Sequence, residues 1–194
     1  MHMLPAEGKE KRFPVRAEDH RKESAMQRAG EFEKVSFPLF EEAMKDCFGP
    51  ETDAAAAYEA LKLPRRATSG SAGYDFFAPV PFTLAPGETV RIPTGIRARM
   101  AEGWVLLLFP RSGLGFKYRL QLNNTVGVID SDYYYSDNEG QIFARLTNDS
   151  NEGRTLALSA GEGFMQGIFL PFGITESDDA TGKRNGGFGS TSGK

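Results

Sequence analysis

A chain of 194 residues with 40% hydrophobic and 25% charged side chains is long enough and apolar enough to bury the core of one globular domain. Its formal net charge of −3 gives no basic footprint, which argues against nucleic-acid binding, and no apolar run approaches the ~18 residues that span a membrane. The single cysteine, Cys47, excludes an intramolecular disulfide, and the first residues lack the apolar core of a signal peptide, so we expect a cytoplasmic protein.

Residues 1–30 mix acids, bases, proline and glycine without apolar periodicity. We interpret them as an extension that is disordered or derives from an expression vector. Both histidines, His2 and His20, lie in this extension, so the rest of the chain has no histidine for catalysis or for a zinc site.

Residues 31–60 are predicted to form an N-terminal helical segment. Apolar residues recur at helical spacing over residues 32–48, and Thr52 and Asp53 can cap a second short helix, Ala54–Ala60. These helices could dock a partner or cover a site, but a helical hairpin packed on the main domain is the interpretation that we favour.

Residues 61–173 change to a β pattern. Short runs separated by Gly, Pro, Asn and Ser occur at residues 89–92, 104–109, 126–129, 141–147, 155–158 and 164–170. Because no long amphipathic helix lies between them, they predict an all-β sandwich or barrel. Residues 174–194 end in a glycine-rich sequence that cannot form a core of its own, and we interpret them as a C-terminal arm.

The stretch 124–142 places a carboxylate and aromatic rings side by side. An apolar run ends at Asp130, three tyrosines follow, and the turn-rich sequence S-D-N-E-G leads into the next run. This pattern predicts a β-hairpin with an acid and an aromatic ring at one mouth. Such an acid can hold a water as general base, and a ring can pack on a flat ligand. The alternative is a surface hairpin with an acidic turn.

Four further patterns flank this stretch: S-A-G-Y-D at 71–75, P-R-S-G-L-G at 110–115, G-E-G-F-M-Q at 161–166 and R-N-G-G-F-G-S-T at 184–191. In the second pattern, Arg111, Ser112 and Gly113 supply a guanidinium, a hydroxyl and an approachable backbone, which suit phosphate oxygens. An isolated R-S-G sequence, however, is more often only a turn after a strand. The glycine-rich tail can wrap phosphates, and Phe188 within it suggests a segment that orders over a ligand.

In order and spelling, the five patterns resemble the five motifs of the homotrimeric dUTP diphosphatases (dUTPases), from about residue 60 onward. The sequence F-E-K-V-S-F is similar to the N-terminal extension of a bacterial and phage-like subgroup of that family. The resemblance implies a distorted β-barrel or jelly-roll and a homotrimer whose active sites are shared between subunits. It also implies Mg²⁺-dependent hydrolysis of dUTP to dUMP and pyrophosphate, which keeps uracil out of DNA and supplies dUMP for thymidylate synthesis.

The resemblance implies a role for each matching residue. Asp130 would hold the water that attacks the α-phosphorus, Arg184 would reach the γ-phosphate, and Asp75 would orient Mg²⁺ through water. Asn124 and the hairpin backbone would read the uracil edge, and Tyr133 would pack under the deoxyribose. The complete set of implied substrate-binding residues is Arg111, Ser112, Gly113, Asn124, Tyr133, Gln166, Phe188, Gly189, Ser190 and Thr191.

Three departures from the family pattern stand out. Residues 134–139 lengthen the turn of the third motif, Gly163 replaces a basic residue in the fourth, and the arginine of the fifth is shifted, so Lys183 or Arg184 could reach the phosphates. A dCTP deaminase-type enzyme shares the fold but needs a glutamate after R-S-G, which this chain lacks. A non-catalytic dUTP-binding regulatory protein is the remaining alternative.

Overall fold

The computed structural model describes residues 27–182; residues 1–26 and 183–194 lie outside the described part. The helices are α1 (Phe37–Phe48), α2 (Ala54–Ala60), α3 (Ser112–Tyr118) and a 3-10 helix (Ser131–Tyr135). The strands are β1 (Gly30–Lys34), β2 (Arg65–Arg66), β3 (Tyr74–Phe77), β4 (Phe82–Leu84), β5 (Thr89–Pro93), β6 (Ile96–Met100), β7 (Trp104–Pro110), β8 (Leu120–Leu122), β9 (Gly127–Ile129), β10 (Phe143–Asn148), β11 (Leu156–Leu158) and β12 (Gly163–Pro171).

The strands form small antiparallel sheets around a shared core. The largest has the order β2-β3-β12-β7-β9, and the others have the orders β5-β10-β8, β1-β6 and β11-β4. Apolar side chains from the first two sheets, among them Leu106, Ile129, Ile92 and Leu146, are fully buried against one another. The sheets do not close on themselves, and the predicted distorted jelly-roll is confirmed.

The N-terminal segment begins with a strand, so the prediction of helix from residue 32 is wrong at its start. β1 pairs with β6, with Phe32 opposite Ala98. The sequence G-E-F-E-K alternates, and alternation is the period of a strand. Phe32 therefore points into the core, whereas Glu31 and Glu33 reach Arg99 and Arg97 on the neighbouring strand. Gly30 belongs to this strand rather than to the preceding extension.

Helices α1 and α2 pack on the β region over a second apolar cluster centred on Phe40 and Met44, which are fully buried. As the sequence predicts, Asp53 caps α2, and its Oδ1 accepts a hydrogen bond from the Ala56 N–H over 2.9 Å. No helix within residues 27–182 combines the length and apolar character needed to cross a membrane.

The central stretch is not the predicted β-hairpin. β9 pairs with β7, whereas β10 pairs with β5 and β8, so the two predicted hairpin strands belong to different sheets. The 3-10 helix and the turn after it carry the chain between the sheets. Two neighbouring apolar runs do not determine which partner each strand takes, because pairing depends on the whole core.

Gly95 lies against the second apolar cluster, and its replacement by alanine tests that contact. Its φ is +69°, and a Cβ atom there would lie 2.9 Å from Phe40 Cδ2. At Gly87 φ is +84° but nothing lies within 4 Å, so Gly87→Ala is the matched control for backbone strain. We expect Gly87→Ala to cost ~1 kcal/mol of unfolding free energy and Gly95→Ala ~1–3 kcal/mol more, measured by urea unfolding. Equal losses in the two variants would contradict this interpretation.

Candidate functional site

The end of β7 brings together side chains from three neighbouring strands. β12 lies between β3 and β7, and Gln166 stands opposite both Asp75 and Phe109. Arg111 directly follows β7, and its Nε lies 3.3 Å from Asp75 Oδ1. The Gln166 amide donates to the carbonyl of Pro110 over 3.5 Å. Asp75, Arg111 and Gln166, from three separate motifs, therefore form one cluster.

Two glycines allow these side chains to lie against the backbone. At Gly163 a Cβ atom would lie 2.8 Å from Arg111 Nη1, and at Gly73 a Cβ atom would meet the amide of Gln166. Arg111 Nη1 also donates to the Gly163 carbonyl over 3.4 Å. The Arg111 side chain thus occupies the space that a side chain at residue 163 would need, which explains the glycine in place of a basic residue.

The sequence Arg111-Ser112-Gly113 is the junction between β7 and α3. The Arg111 N–H donates to the Phe164 carbonyl over 3.3 Å, which fastens the junction to β12. All three junction residues are exposed. Because N–H groups in the first turn of a helix have no acceptor within the helix, this junction offers amides and a hydroxyl beside the guanidinium.

Asp130 lies at the opposite end of β7 from this cluster. It follows β9, in which Ile129 stands opposite Leu106, so Asp130 comes level with Val105. Six residues of strand separate Val105 from Arg111, which is about 20 Å at ~3.3 Å per residue. One chain therefore does not bring Asp130 together with Arg111.

Asn124 lies exposed in the turn between β8 and β9, where its carbonyl accepts from the Val126 N–H over 2.7 Å. Gly127 stands opposite Leu108, so this turn faces the end of β7 that carries Arg111. Asn124 and Asp130 thus occupy opposite ends of β9.

Tyr133 is a core residue in this chain, with 2% of its surface exposed. Its hydroxyl donates to the Gln141 carbonyl over 2.7 Å and accepts from the Asn138 side-chain amide over 2.8 Å. A ring buried to this degree offers no open face to a sugar within the single chain. Its observed contacts close the loop, and the sugar contact stays a prediction.

The lengthened turn after Tyr133 is a compact loop built on its own hydrogen bonds. Ser136 Oγ donates to the Tyr133 carbonyl over 2.6 Å, and the Glu139 N–H donates to the Ser136 carbonyl over 2.8 Å. Gly140 has φ +70°, and a Cβ atom there would lie 2.7 Å from Tyr134 Cα. The loop therefore ends against its own beginning.

Arg65 is a neighbour of the cluster that sequence reasoning missed. It stands opposite Asp75, and residues directly opposite in an antiparallel pair share a face. Its guanidinium carbon lies 5.7 Å from the centre of the Phe77 ring, and Lys62 Nζ lies 5.6 Å from the same centre. The only sequence signal was a short basic run before the first motif, which is common in unrelated proteins.

The fifth motif lies outside the described residues. This applies to Lys183, Arg184, Phe188, Gly189, Ser190 and Thr191. Within residues 27–182, no group of three or more His, Cys, Asp or Glu side chains is arranged to hold a metal ion. Asp75 lies beside Arg111 and Gln166.

Comparison with known proteins extends these observations. A family model described as dUTPase matches residues 59–192. The deoxyuridine 5'-triphosphate nucleotidohydrolase of Lactococcus lactis subsp. lactis (strain IL1403) is 44% identical over 134 residues, covering 68% of this chain and 88% of the relative.

Solved structures agree. The crystal structure of dUTPase from Streptococcus mutans has a TM-score of 0.56 and 40% identity, and the match covers 75% of this chain and 98% of that chain. A mutant of the dUTPase from phage phi11 of S. aureus, whose structure reveals the coordination of a structural Mg(II) ion, has a TM-score of 0.53 and 23% identity. Its match covers 66% of this chain and 94% of that chain, and at this identity it shows the fold alone.

Gly163→Ala tests the contact between residue 163 and Arg111. We expect the added methyl group to displace the guanidinium from Asp75 and to raise KM for the substrate ~10-fold, because a charge-assisted contact contributes about 1.5–3 kcal/mol. Since the end of a flexible side chain yields easily, the melting temperature should stay near that of the unmodified protein. Gly70→Ala, which has nothing within 4 Å of the added atom, is the control and should leave KM unchanged. An unaltered KM in Gly163→Ala would refute the role of this contact.

Proposed function

This chain belongs to the dUTPase family and is a dUTP-hydrolysing enzyme, and from that premise we propose how its residues divide the reaction. dUTP and water are converted to dUMP and pyrophosphate, and the cluster of Asp75, Arg111 and Gln166 binds the triphosphate. The observation that carries this assignment is the 3.3 Å approach of Arg111 to Asp75 beside the exposed start of α3. A cation, a hydroxyl and backbone amides at one strand end suit an anionic chain of phosphates.

Mg²⁺ is the cofactor in this proposal. The ion prefers hard oxygen ligands, retains several waters and commonly needs only one or two carboxylates in addition to substrate phosphates. Asp75 as a single carboxylate beside the Gln166 amide fits that demand. When bound, the ion neutralises charge on the phosphates; Asp75 and Gln166 would orient its waters, while Arg111 and Ser112 contact phosphate oxygens.

Asp130 is proposed to hold the attacking water. The water oxygen forms a bond to the α-phosphorus, the bond from that phosphorus to the pyrophosphate oxygen breaks, and the water proton goes to the Asp130 carboxylate. General-base assistance of this kind contributes about 10²–10⁴ in rate. At the nucleoside end, we assign the uracil edge to the turn at Asn124 and the deoxyribose to Tyr133.

The separation of Asp130 from Arg111 supports a site shared between subunits. A carboxylate about 20 Å from the phosphate-binding cluster reaches the α-phosphorus only if a neighbouring chain supplies it. We therefore propose a homotrimer in which one subunit contributes Asp75, Arg111 and Gln166 and another contributes Asp130. In the same proposal, Arg184 contacts the γ-phosphate, Phe188 covers the base, and Gly189, Ser190 and Thr191 wrap the phosphates.

Asp130→Asn tests the reaction and the general base together. Pyrophosphate release would be measured with dUTP, dTTP, dCTP and UTP in the presence of Mg²⁺. We expect release from dUTP alone and a fall of ~10²–10⁴-fold in the variant, because an amide cannot accept the water proton. Binding of dUTP should survive in the variant. Binding without any release by the unmodified protein would instead favour the regulatory-protein alternative, and ammonia release from dCTP would favour the deaminase alternative.

Subunit mixing tests the shared site. Asp130→Asn and Arg111→Ala chains, carrying different tags, would be produced together and mixed trimers purified through both tags. Each variant alone should be inactive, whereas every mixed trimer should regain about one of its three sites, the one in which intact residues from different chains meet. No recovery in doubly tagged assemblies would place both residues in one subunit's site.

A further inference from the structure

Strand β1 holds the loop that follows Asp130. Glu33 of β1 accepts a hydrogen bond from the Tyr134 hydroxyl over 2.8 Å. The same carboxylate oxygen accepts from Arg97 Nη2 over 3.0 Å, and the Arg97 guanidinium carbon lies 4.4 Å from the centre of the Tyr134 ring. Tyr134 is therefore held both at its hydroxyl and on a ring face.

The far end of the same loop is held by a second carboxylate. Glu139 Oε2 accepts from the Ser36 N–H over 2.8 Å. Ser36 is the N-cap of α1, and its own side chain makes no capping hydrogen bond, so Glu139 reaches this helix end from 103 positions along the chain. The hydrogen bond from the Tyr134 hydroxyl is the main cause of the lowered pKa of Glu33, and the hydrogen bond with Ser36 is the main cause of the lowered pKa of Glu139. Both carboxylates are therefore charged acceptors at neutral pH.

The loop between these two contacts is continuous with Asp130. The Tyr133 N–H donates to the Asp130 carbonyl over 3.2 Å, and Tyr134 is the next residue. A Cβ atom at Gly140 would lie 2.8 Å from the Tyr133 carbonyl oxygen, so the loop exit lies directly against its entry. Asp130 is therefore linked to the two ends of this loop by a backbone hydrogen bond and by the close approach at Gly140.

We propose that Glu33 and Glu139 are positioning residues, which clamp the loop 131–140 onto β1 and α1 and thereby fix the placement of Asp130. We call the contacts of Glu33 with Tyr134 and of Glu139 with Ser36 the clasp. The inference rests on the proposed function of Asp130 as the group that holds the attacking water. It gives the N-terminal segment a part in turnover, although none of its residues needs to touch the substrate.

The partial exposure of the clasp residues indicates that the clasp contributes more to positioning Asp130 than to the free energy of folding. The side chains of Glu33 and Arg97 retain 32% and 24% of their exposure, and partly exposed ion pairs contribute little to folding. A misplacement of ~1 Å at a reacting group, by contrast, can cost up to ~10²-fold in rate. Weakening the clasp should therefore reduce turnover while leaving the folded state nearly as stable.

The chain offers variants that remove single contacts. Tyr134→Phe deletes only the hydroxyl that Glu33 accepts from, and Glu139→Ala deletes the acceptor for the Ser36 N–H. Glu139→Gln keeps an oxygen at that place and serves as the rescue. Glu31→Gln is the matched control, because Glu31 lies on the same strand and pairs with Arg99 over 2.6 Å at the exposed surface.

Steady-state hydrolysis of dUTP by the full chain with Mg²⁺ would be measured together with amide hydrogen exchange of residues 131–142. We expect kcat to fall ~10- to 100-fold in Tyr134→Phe and Glu139→Ala, with KM within about twofold, faster exchange in the loop and a nearly unchanged melting temperature. Glu139→Gln and Glu31→Gln should keep kcat within about threefold of the unmodified value.

Unchanged kcat in both contact-removing variants would overturn the inference, and so would an equal fall in Glu31→Gln. If the unmodified chain released no pyrophosphate from dUTP, the proposed function would fail. Hydrogen exchange would then still show whether the clasp holds the loop. Unchanged exchange in the variants would show that it does not, whatever the activity of the chain.

Discussion

The close approach of side chains to the backbone at Gly163 and Gly73 is the constraint on which the candidate site depends. Gly163 of β12 lies against the guanidinium of Arg111, and Gly73, which directly precedes β3, lies against the amide of Gln166 of β12. Because neither position carries a side chain, the carboxylate of Asp75, the guanidinium of Arg111 and the amide of Gln166 can lie together at one end of the sheet. Asp75 and Arg111 are then close enough to form an ion pair. The large sheet supplies the rigidity: β12 pairs with both β3 and β7 around Gln166, and its Phe164 and Met165 are fully buried. The proposed phosphate-binding half of the site is therefore positioned by residues in the interior of a sheet.

The other half of the site is built differently. Asp130 leaves a three-residue strand and enters a loop, and a loop holds its shape only as well as its contacts do. Besides the loop's own hydrogen bonds, those contacts come from the N-terminal segment, which joins the β region through β1 and through the apolar cluster around Phe40. The segment is therefore part of the same folded unit as the β-sheets, and it lies against the one region where the third motif departs from the family pattern.

The sequence predicted six of the twelve strands in residues 27–182 and both N-terminal helices, because glycine punctuation and apolar runs are local signals. The roles shared by Asp75, Arg111 and Gln166 were implied by the family resemblance and not by these local signals. It did not predict that Phe32 lies in a strand, since five alternating residues directly before a helical pattern are easily absorbed into that pattern. The hairpin prediction was wrong for a different reason. β9 pairs with β7 and β10 pairs with β5, and the apolar pattern of neighbouring residues does not specify such distant partners. The burial of Tyr133 likewise follows from its hydrogen bonds to Gln141 and Asn138, which no motif encodes.

The distance along β7 between Asp130 and Arg111 has a consequence for how activity depends on protein concentration. If the site is shared between subunits as proposed, a chain that carries the two groups about 20 Å apart has no complete site while it is alone. Under the proposed assembly, catalytic capacity then follows the mass-action law of subunit association and not the amount of folded protein. Dilution below the dissociation constant of the trimer would leave folded chains without activity. Activity would therefore appear only above a threshold concentration of the protein. The length of β7, seven residues, would in this way make the rate of dUTP hydrolysis per chain depend on the concentration of the protein.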